Sequence, residues 1–261
     1  MNMQISDILM AVAGGEIFVR RWVVENSDAA PIILLHDSLG CVDLWRDFPE
    51  ALAQFTKRTV IAYDRLGFGR SSQREGLPSI SFIEEEANIY FPAIKQALGI
   101  DEFILLGHSV GGGMAITIAA THSQDCQAVI TEAAQAFVEE RTLTGIRTAK
   151  ASFAAPEQFA KLTKLHGDKA QWVLDAWTEV WLSPDFRTWS LDIFLPQVHC
   201  PVLAIHGEKD EYGSEAFPRR IVERVSGQSV LAIIPECGHV PHREKQAEVL
   251  GLIARFVDEH P

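Results

Sequence analysis

Apolar residues along this chain fall into short runs separated by polar, glycine-marked segments. Ile8 to Val12 and Ile17 to Val24 read as two strands around Ala13-Gly14-Gly15-Glu16, because paired glycines between apolar runs signal a hairpin. Pro31 then opens Ile32-Ile33-Leu34-Leu35, a continuous apolar run of the kind a strand buried on both faces requires. Val42 to Phe55 places Leu44, Trp45, Phe48, Leu52 and Phe55 on one helical stripe. Thr59 to Tyr63 predicts the next strand. Ile80 to Leu98 predicts a helix, with Ser79 or Ser81 as its cap, Glu84 to Glu86 at its positive end and Gly99 as its stop. Phe103 to Leu106 and Ala128 to Thr131 are again strand-like. Strands and helices thus alternate from residue 31 to 132, the pattern of a parallel sheet covered on both faces.

The alternation stops at Ala134. From there to Leu195 the chain has helical stretches and no convincing strand. It resumes with Pro201 to Ile205 (strand), Ala216 to Val225 (helix), Ser229 to Ile234 (strand) and Ala247 to Val257 (helix). The expectation is an α/β fold with a mostly parallel eight-stranded sheet flanked by helices. Residues 1–133 and 196–261 form its core, and 134–195 form an inserted helical cap.

Composition narrows this picture. A chain of 261 residues with 47% hydrophobic content is large enough for one closed core with such an insertion. The formal charge of -12, with no Lys/Arg block, speaks against nucleic acid and anionic membranes as partners. Cys41, Cys126, Cys200 and Cys237 lie far apart with no C-x-x-C pair, as expected of reduced thiols. Met1 to Val12 lacks a basic leader and a long apolar core, so no signal peptide is expected and a cytoplasmic location is. No apolar run approaches the ~18–20 residues needed to span a bilayer.

Candidate chemistry centres on Gly107-His108-Ser109-Val110-Gly111, a G-x-S-x-G motif. A strand-like run enters it and a run of small residues, Gly111 to Ala120, leaves it as a helix. That strand–turn–helix context is the one in which the motif raises a serine hydroxyl out of a sheet as a nucleophile. Hydrolysis by serine also needs a base, an orienter for the base and donors for an oxyanion. His239, in Cys-Gly-His-Val after the last strand, and Asp210, in His-Gly-Glu-Lys-Asp after the strand before it, supply the first two in the chain order serine, acid, histidine. The other histidines suit this less well. His108 sits beside the nucleophile and cannot easily turn to its hydroxyl, and His206 ends a strand. Glu132, at the end of the strand after the elbow helix, is a rival for the acid.

Five pieces together, HDSLG (36–40), YDRLGFGRS (63–71), GHSVGGG (107–113), GEKD (207–210) and CGH (237–239), resemble the α/β-hydrolase fold family over nearly the full chain. The resemblance implies Ser109 as nucleophile, Asp210 and His239 as its partners, and the backbone N–H groups of Ser38 and Val110 as the oxyanion hole. Such relatives usually have glycine where Asp37 stands, so its carboxylate is expected to point away from the oxyanion. A serine at the elbow argues against the haloalkane dehalogenase and epoxide hydrolase branches, which use aspartate. The superfamily also contains thioesterases and acyl-carrier-protein methyl esterases, enol-lactonases, carbon–carbon bond hydrolases, cofactor-free haloperoxidases (perhydrolases) and non-catalytic receptors.

The reading is a serine hydrolase of small-to-medium carboxylic esters, a monomer or homodimer that needs no cofactor. Cys237, His239 and His242 are soft ligands close in sequence, but a fourth is missing and the triad needs His239 free, so no metal is expected. Residues 134–195 hold four of the six tryptophans and seven Lys/Arg against eight Asp/Glu, an aromatic, near-neutral segment in an acidic chain. Trp177 and Trp181, with His36, are candidates for the substrate pocket.

Overall fold

The eight apolar runs assemble into one sheet. A computed structural model describes residues 2–260. Its strands are β1 (Met3–Val12), β2 (Gly15–Val24), β3 (Ile32–Leu35), β4 (Val60–Tyr63), β5 (Phe103–His108), β6 (Cys126–Glu132), β7 (Val202–Gly207) and β8 (Ser229–Ile234). They lie in the order β1-β2-β4-β3-β5-β6-β7-β8. The β1–β2 hairpin joins β4 antiparallel, and every pairing from β4 across to β8 is parallel.

The helices explain why the central strands are continuous apolar runs. α1 (Phe48–Thr56) and α10 (Gln246–Glu259) cover one face, packing Phe48, Leu52, Val249 and Ile253 on Ile32, Leu34, Ile104 and Leu106. α3 (Phe91–Leu98), α4 (Val110–Thr121) and α8 (Ala216–Arg224) cover the other, where Phe91, Met114 and Phe217 meet Ile33, Leu35 and Leu105. Alternate residues of each strand face opposite layers, so neither set can be polar.

Three elements depart from the expectation. The first strand begins at Met3 rather than Ile8, because its polar half is held by cross-strand pairs such as Asp7 with Arg20 at 2.7 Å. The turn is correspondingly tight, with Gly14 at φ 88°. The expected Val42–Phe55 helix is broken: a short turn at Val42–Trp45 precedes α1, and Arg46 between them has φ 55°. The Ile80–Leu98 helix starts later, as α2 (Phe82–Glu85), and passes through a π turn at Glu86–Tyr90 into α3. Pro92 has no N–H to return to the preceding turn, and the wider π turn accommodates that gap. Neither serine caps this helix by its side chain: Ser79 Oγ accepts from Ser81 N–H at 3.0 Å and donates to Glu85 at 2.6 Å. Gly99, at φ 63°, does end it.

Residues 134–195 carry α5 (Glu140–Ser152), α6 (Pro156–His166) and α7 (Ala170–Trp181), with one isolated bridge, Phe137 to Ser190. This segment is fastened to the loops after β3 and β4. His166 Nε2 donates to Leu39 O at 2.9 Å and its Nδ1 accepts from Gly69 N–H at 2.9 Å. Trp172 Nε1 donates to Gly76 O at 2.8 Å, and Phe68 packs among Leu162, Val173 and Leu174.

Candidate active site

The turn between β5 and α4 leaves no room for side chains at its flanks. A Cβ on Gly107 would lie 2.1 Å from Gly111 O, and one on Gly111 would lie 2.1 Å from Leu35 O. Both obstacles are backbone, which cannot swing aside. Ser109 itself sits at φ 56°, ψ -124°, a strained conformation held by its N–H donating to Glu132 O at 2.8 Å. The strain places its hydroxyl above the carboxyl edge of the sheet, where the loops after β7 and β8 also end.

Those loops bring the other two groups to it. His239 Nε2 lies 3.1 Å from Ser109 Oγ, and its Nδ1 lies 2.8 and 2.9 Å from the two oxygens of Asp210. Asp210 is fully buried, and its Oδ1 also accepts from Tyr212 N–H at 2.7 Å and Gly213 N–H at 3.1 Å. Burial alone would push this carboxyl up. The hydrogen bond and charge of His239, with the backbone donors, outweigh it and hold Asp210 below the usual carboxylate range. A hydroxyl so linked to an imidazole and a buried carboxylate can lose its proton to the ring and attack an electrophilic carbon.

Glu132 is engaged elsewhere. Its Oε2 accepts from His242 Nδ1 at 2.7 Å and from His242 N–H at 3.3 Å, on α9 (Pro241–Glu244), away from His239. Burial holds His242 below the usual histidine value, so it stands neutral. His206 donates to Gly213 O at 3.2 Å and flanks Asp210 from behind. Cys237 and His242 are not gathered on His239, and among the described residues no three His, Cys, Asp or Glu side chains are placed to hold a metal ion. Burial pushes the Cys41 and Cys237 thiols up to about 12, so neither is a competing nucleophile.

The loop after β3 supplies the fourth side of the site. The Asp37 carbonyl accepts from His36 Nδ1 at 2.8 Å and from Arg65 Nη2 at 2.9 Å, and Arg65 Nη1 donates to His36 O at 2.6 Å. A trans peptide points its N–H opposite its C=O, so the next N–H, that of Ser38, faces away from Arg65. Ser38 borders the hollow that holds Ser109. Val110 N–H opens α4, where the helix dipole is positive. His36, expected at the pocket wall, instead buttresses this loop: both ring nitrogens are taken by backbone, and burial keeps it neutral.

The hollow over Ser109 has a volume of about 200 Å³, with Leu44, Ile146, Trp177, Trp181, Tyr212 and Val240 among its walls. A second one adjoins it at Ser38, Trp177 and Trp181 and runs between Val110, Met114, Phe68 and Trp172. Both tryptophans expected to border substrate therefore do border the cavity.

The alpha/beta hydrolase fold family model matches residues 30–167, more than half of the chain. The chain belongs to this family. Within it, the stretch that matches the human 1-acylglycerol-3-phosphate O-acyltransferase ABHD5 is 38% identical over 107 residues, 39% of this chain. The bovine (Lyso)-N-acylphosphatidylethanolamine lipase is 36% identical over 91 residues, 35% of this chain. These matches span only 29% and 26% of the relatives' own lengths. The proline iminopeptidase of Mycobacterium smegmatis shares the fold, with a TM-score of 0.77 at 24% identity over 98% of both chains. Among the described residues of this family member, no helix is long and apolar enough to cross a membrane.

Two residues at the site escaped the sequence. Gln135 Nε2 lies 3.2 Å from Ser109 Oγ, and Tyr212 packs its ring 4.8 Å from that of His239. Neither belongs to a motif. Their signal is position: each stands within three residues of a strand-end carboxylate, Glu132 or Asp210, at the sheet edge where ligands bind.

Proposed function

We propose that this chain is a serine hydrolase that cleaves small-to-medium, uncharged carboxylic esters through an acyl-enzyme. The observation that carries the reading is the unbroken hydrogen-bonded line from Ser109 through His239 to buried Asp210 at the floor of a largely apolar hollow. In the proposed reaction His239 Nε2 takes the Ser109 proton as Oγ attacks the acyl carbon. Asp210 keeps Nδ1 protonated and offsets the imidazolium charge. The tetrahedral oxyanion sits between the N–H groups of Ser38 and Val110, on the positive end of α4. His239 then protonates the leaving alcohol, and water repeats the attack to free the acid.

Residues 134–195 act in this reading as a cap that closes over the site and selects the acyl group. Support comes from Trp177 and Trp181, which border both hollows, and from the fastening of α6 and α7 to the loops after β3 and β4. One hollow then takes the acyl chain and the other the alcohol. A polar substrate head gains little among such rings, whereas each buried methylene adds roughly 0.8 kcal/mol.

The test is a substrate panel: p-nitrophenyl esters of graded acyl length, beside one thioester, one lactone, one carbon–carbon ring-cleavage product and peroxide-dependent halogenation. The reading expects the highest kcat/KM on a short-to-medium ester. A thioester or lactone preferred by tenfold or more would move the substrate class, and saturable binding without turnover would make the chain a receptor.

A further inference from the structure

The carboxylate of Asp37 stands beside the peptide that offers Ser38 N–H to the oxyanion site, and it borders the hollow over Ser109. A bare negative charge there would oppose the charge that develops during acyl transfer. At an effective dielectric near 20, a unit charge about 6 Å from an oxyanion would slow the reaction by roughly 100-fold. The side chain is not bare. Its Oδ1 accepts from Leu39 N–H at 2.8 Å, and its Oδ2 faces His108 Nδ1 at 3.4 Å.

His108 is the residue just before Ser109 and is buried. Its other nitrogen, Nε2, lies 2.7 Å from the backbone carbonyl of His239. Nε2 therefore donates a hydrogen bond, and Nδ1 stands 3.4 Å from a carboxylate oxygen, the position in which a second ring proton is stabilised by charge. We propose that buried His108 and partly exposed Asp37 form an ion pair whose cation cancels the carboxylate beside Ser38 while its Nε2–H holds the His239 backbone, so that turnover depends on the pair staying charged. The proposal rests on the acyl-enzyme reading above.

The surroundings fit one cation at His108. From β6, Glu132 faces it across the strand register, adding a second negative charge. From α9, the His242 ring meets it edge-on at 5.0 Å and is neutral, its Nδ1–H given to Glu132. From the loop after β8 comes the His239 carbonyl, with its ring 5.1 Å away. Trp45 closes the remaining edge at 6.3 Å. On the far side of Asp37, Arg65 spends its donors on the His36 and Asp37 carbonyls and not on the carboxylate. Burial opposes protonation of His108, but Asp37 and Glu132 outweigh it and raise its pKa above the usual histidine value. The same pairing holds Asp37 far below the usual carboxylate range.

His108 acts here as a positioning residue, so the test is a charge-balance cycle with His108→Gln, Asp37→Asn and the double variant. His108→Gln, which leaves Asp37 uncompensated, is expected to lose between about 10- and 100-fold in kcat with little change in KM. Asp37→Asn should lose less, and the double variant should regain at least tenfold over His108→Gln. The wild type should lose activity on the alkaline side as His108 gives up its proton, and that limb should vanish in Asp37→Asn. Losses that multiply in the double variant, or an alkaline limb that survives Asp37→Asn, overturn the proposal. A readout without turnover separates this from failure of the acyl-enzyme reading: ring nitrogen NMR of His108 at neutral pH should show an imidazolium in the wild type and a neutral ring in Asp37→Asn. A neutral wild-type ring in an active enzyme sinks the ion pair alone, whereas an imidazolium in a chain that turns over no ester leaves the pair and sinks the reaction.

Discussion

Replacing Asp210 by Asn should disable the site without unfolding it, and the geometry gives the size of the loss. Asp210 Oδ1 holds the N–H groups of Tyr212 and Gly213, so the asparagine oxygen must stay on that side. The new NH2 group then faces His239 Nδ1 in place of Oδ2. Nδ1 becomes an acceptor, Nε2 carries the proton, and the ring can no longer take one from Ser109. The charge pairing with the imidazolium is lost as well. At the 2.8 Å separation of Nδ1 and Oδ2 and an effective dielectric near 20, that pairing is worth about 6 kcal/mol, or about 10⁴-fold in rate. Glu132→Gln is the comparison: its oxygen keeps accepting from His242, and its loss should be milder than that of Asp210→Asn, limited to the charge it lends His108. The assay is kcat/KM on the best ester of the panel, with thermal unfolding recorded for each variant. A folded Asp210→Asn enzyme keeping more than a tenth of the rate would refute the reasoning, as would a Glu132→Gln loss larger than that of Asp210→Asn.

Two further outcomes follow from the same geometry. His36, His166, His206 and His242 are held neutral by burial, with pKa values below the usual one. Unfolding lets each take a proton below about pH 6.5, so each removes up to about 1.4 kcal/mol of stability per pH unit of acidification, against His108, whose raised value works the other way. The melting temperature should therefore fall from pH 7.5 to 5.5, and a flat profile would contradict the neutral assignments. Trp177→Ala and Trp181→Ala should change the acyl-length profile of kcat/KM more than the rate on the shortest ester; three parallel profiles would make those rings packing alone.

The fold was legible because its central strands are apolar on both faces, a pattern that leaves Ile32–Leu35 and Phe103–Leu106 few alternatives. The hydrogen-bonded set Ser109, His239 and Asp210 was legible because each member follows a strand, in the order serine, acid, histidine. What stayed hidden depends on groups far apart in the chain. The start of β1 depends on Arg20 pairing with Asp7, and no local pattern in Ser6-Asp7 announces it. The split of Val42–Phe55 turns on Arg46 taking a left-handed backbone that only the packed chain can impose. Gln135 reaches Ser109 from the far end of β6, and the roles of Glu132 and Asp37 were decided by His242 and His108, neither of which spacing alone could place.

The most direct test of the acyl-enzyme is to catch it. The 261-residue chain is mixed with a p-nitrophenyl ester, quenched in acid within the first turnovers, and weighed intact before peptide mapping. The account predicts one added acyl mass, located on the peptide carrying Ser109 and absent from Ser109→Ala. An adduct on any other residue, or a folded Ser109→Ala variant that still turns over the ester at more than a tenth of the wild-type rate, would contradict it.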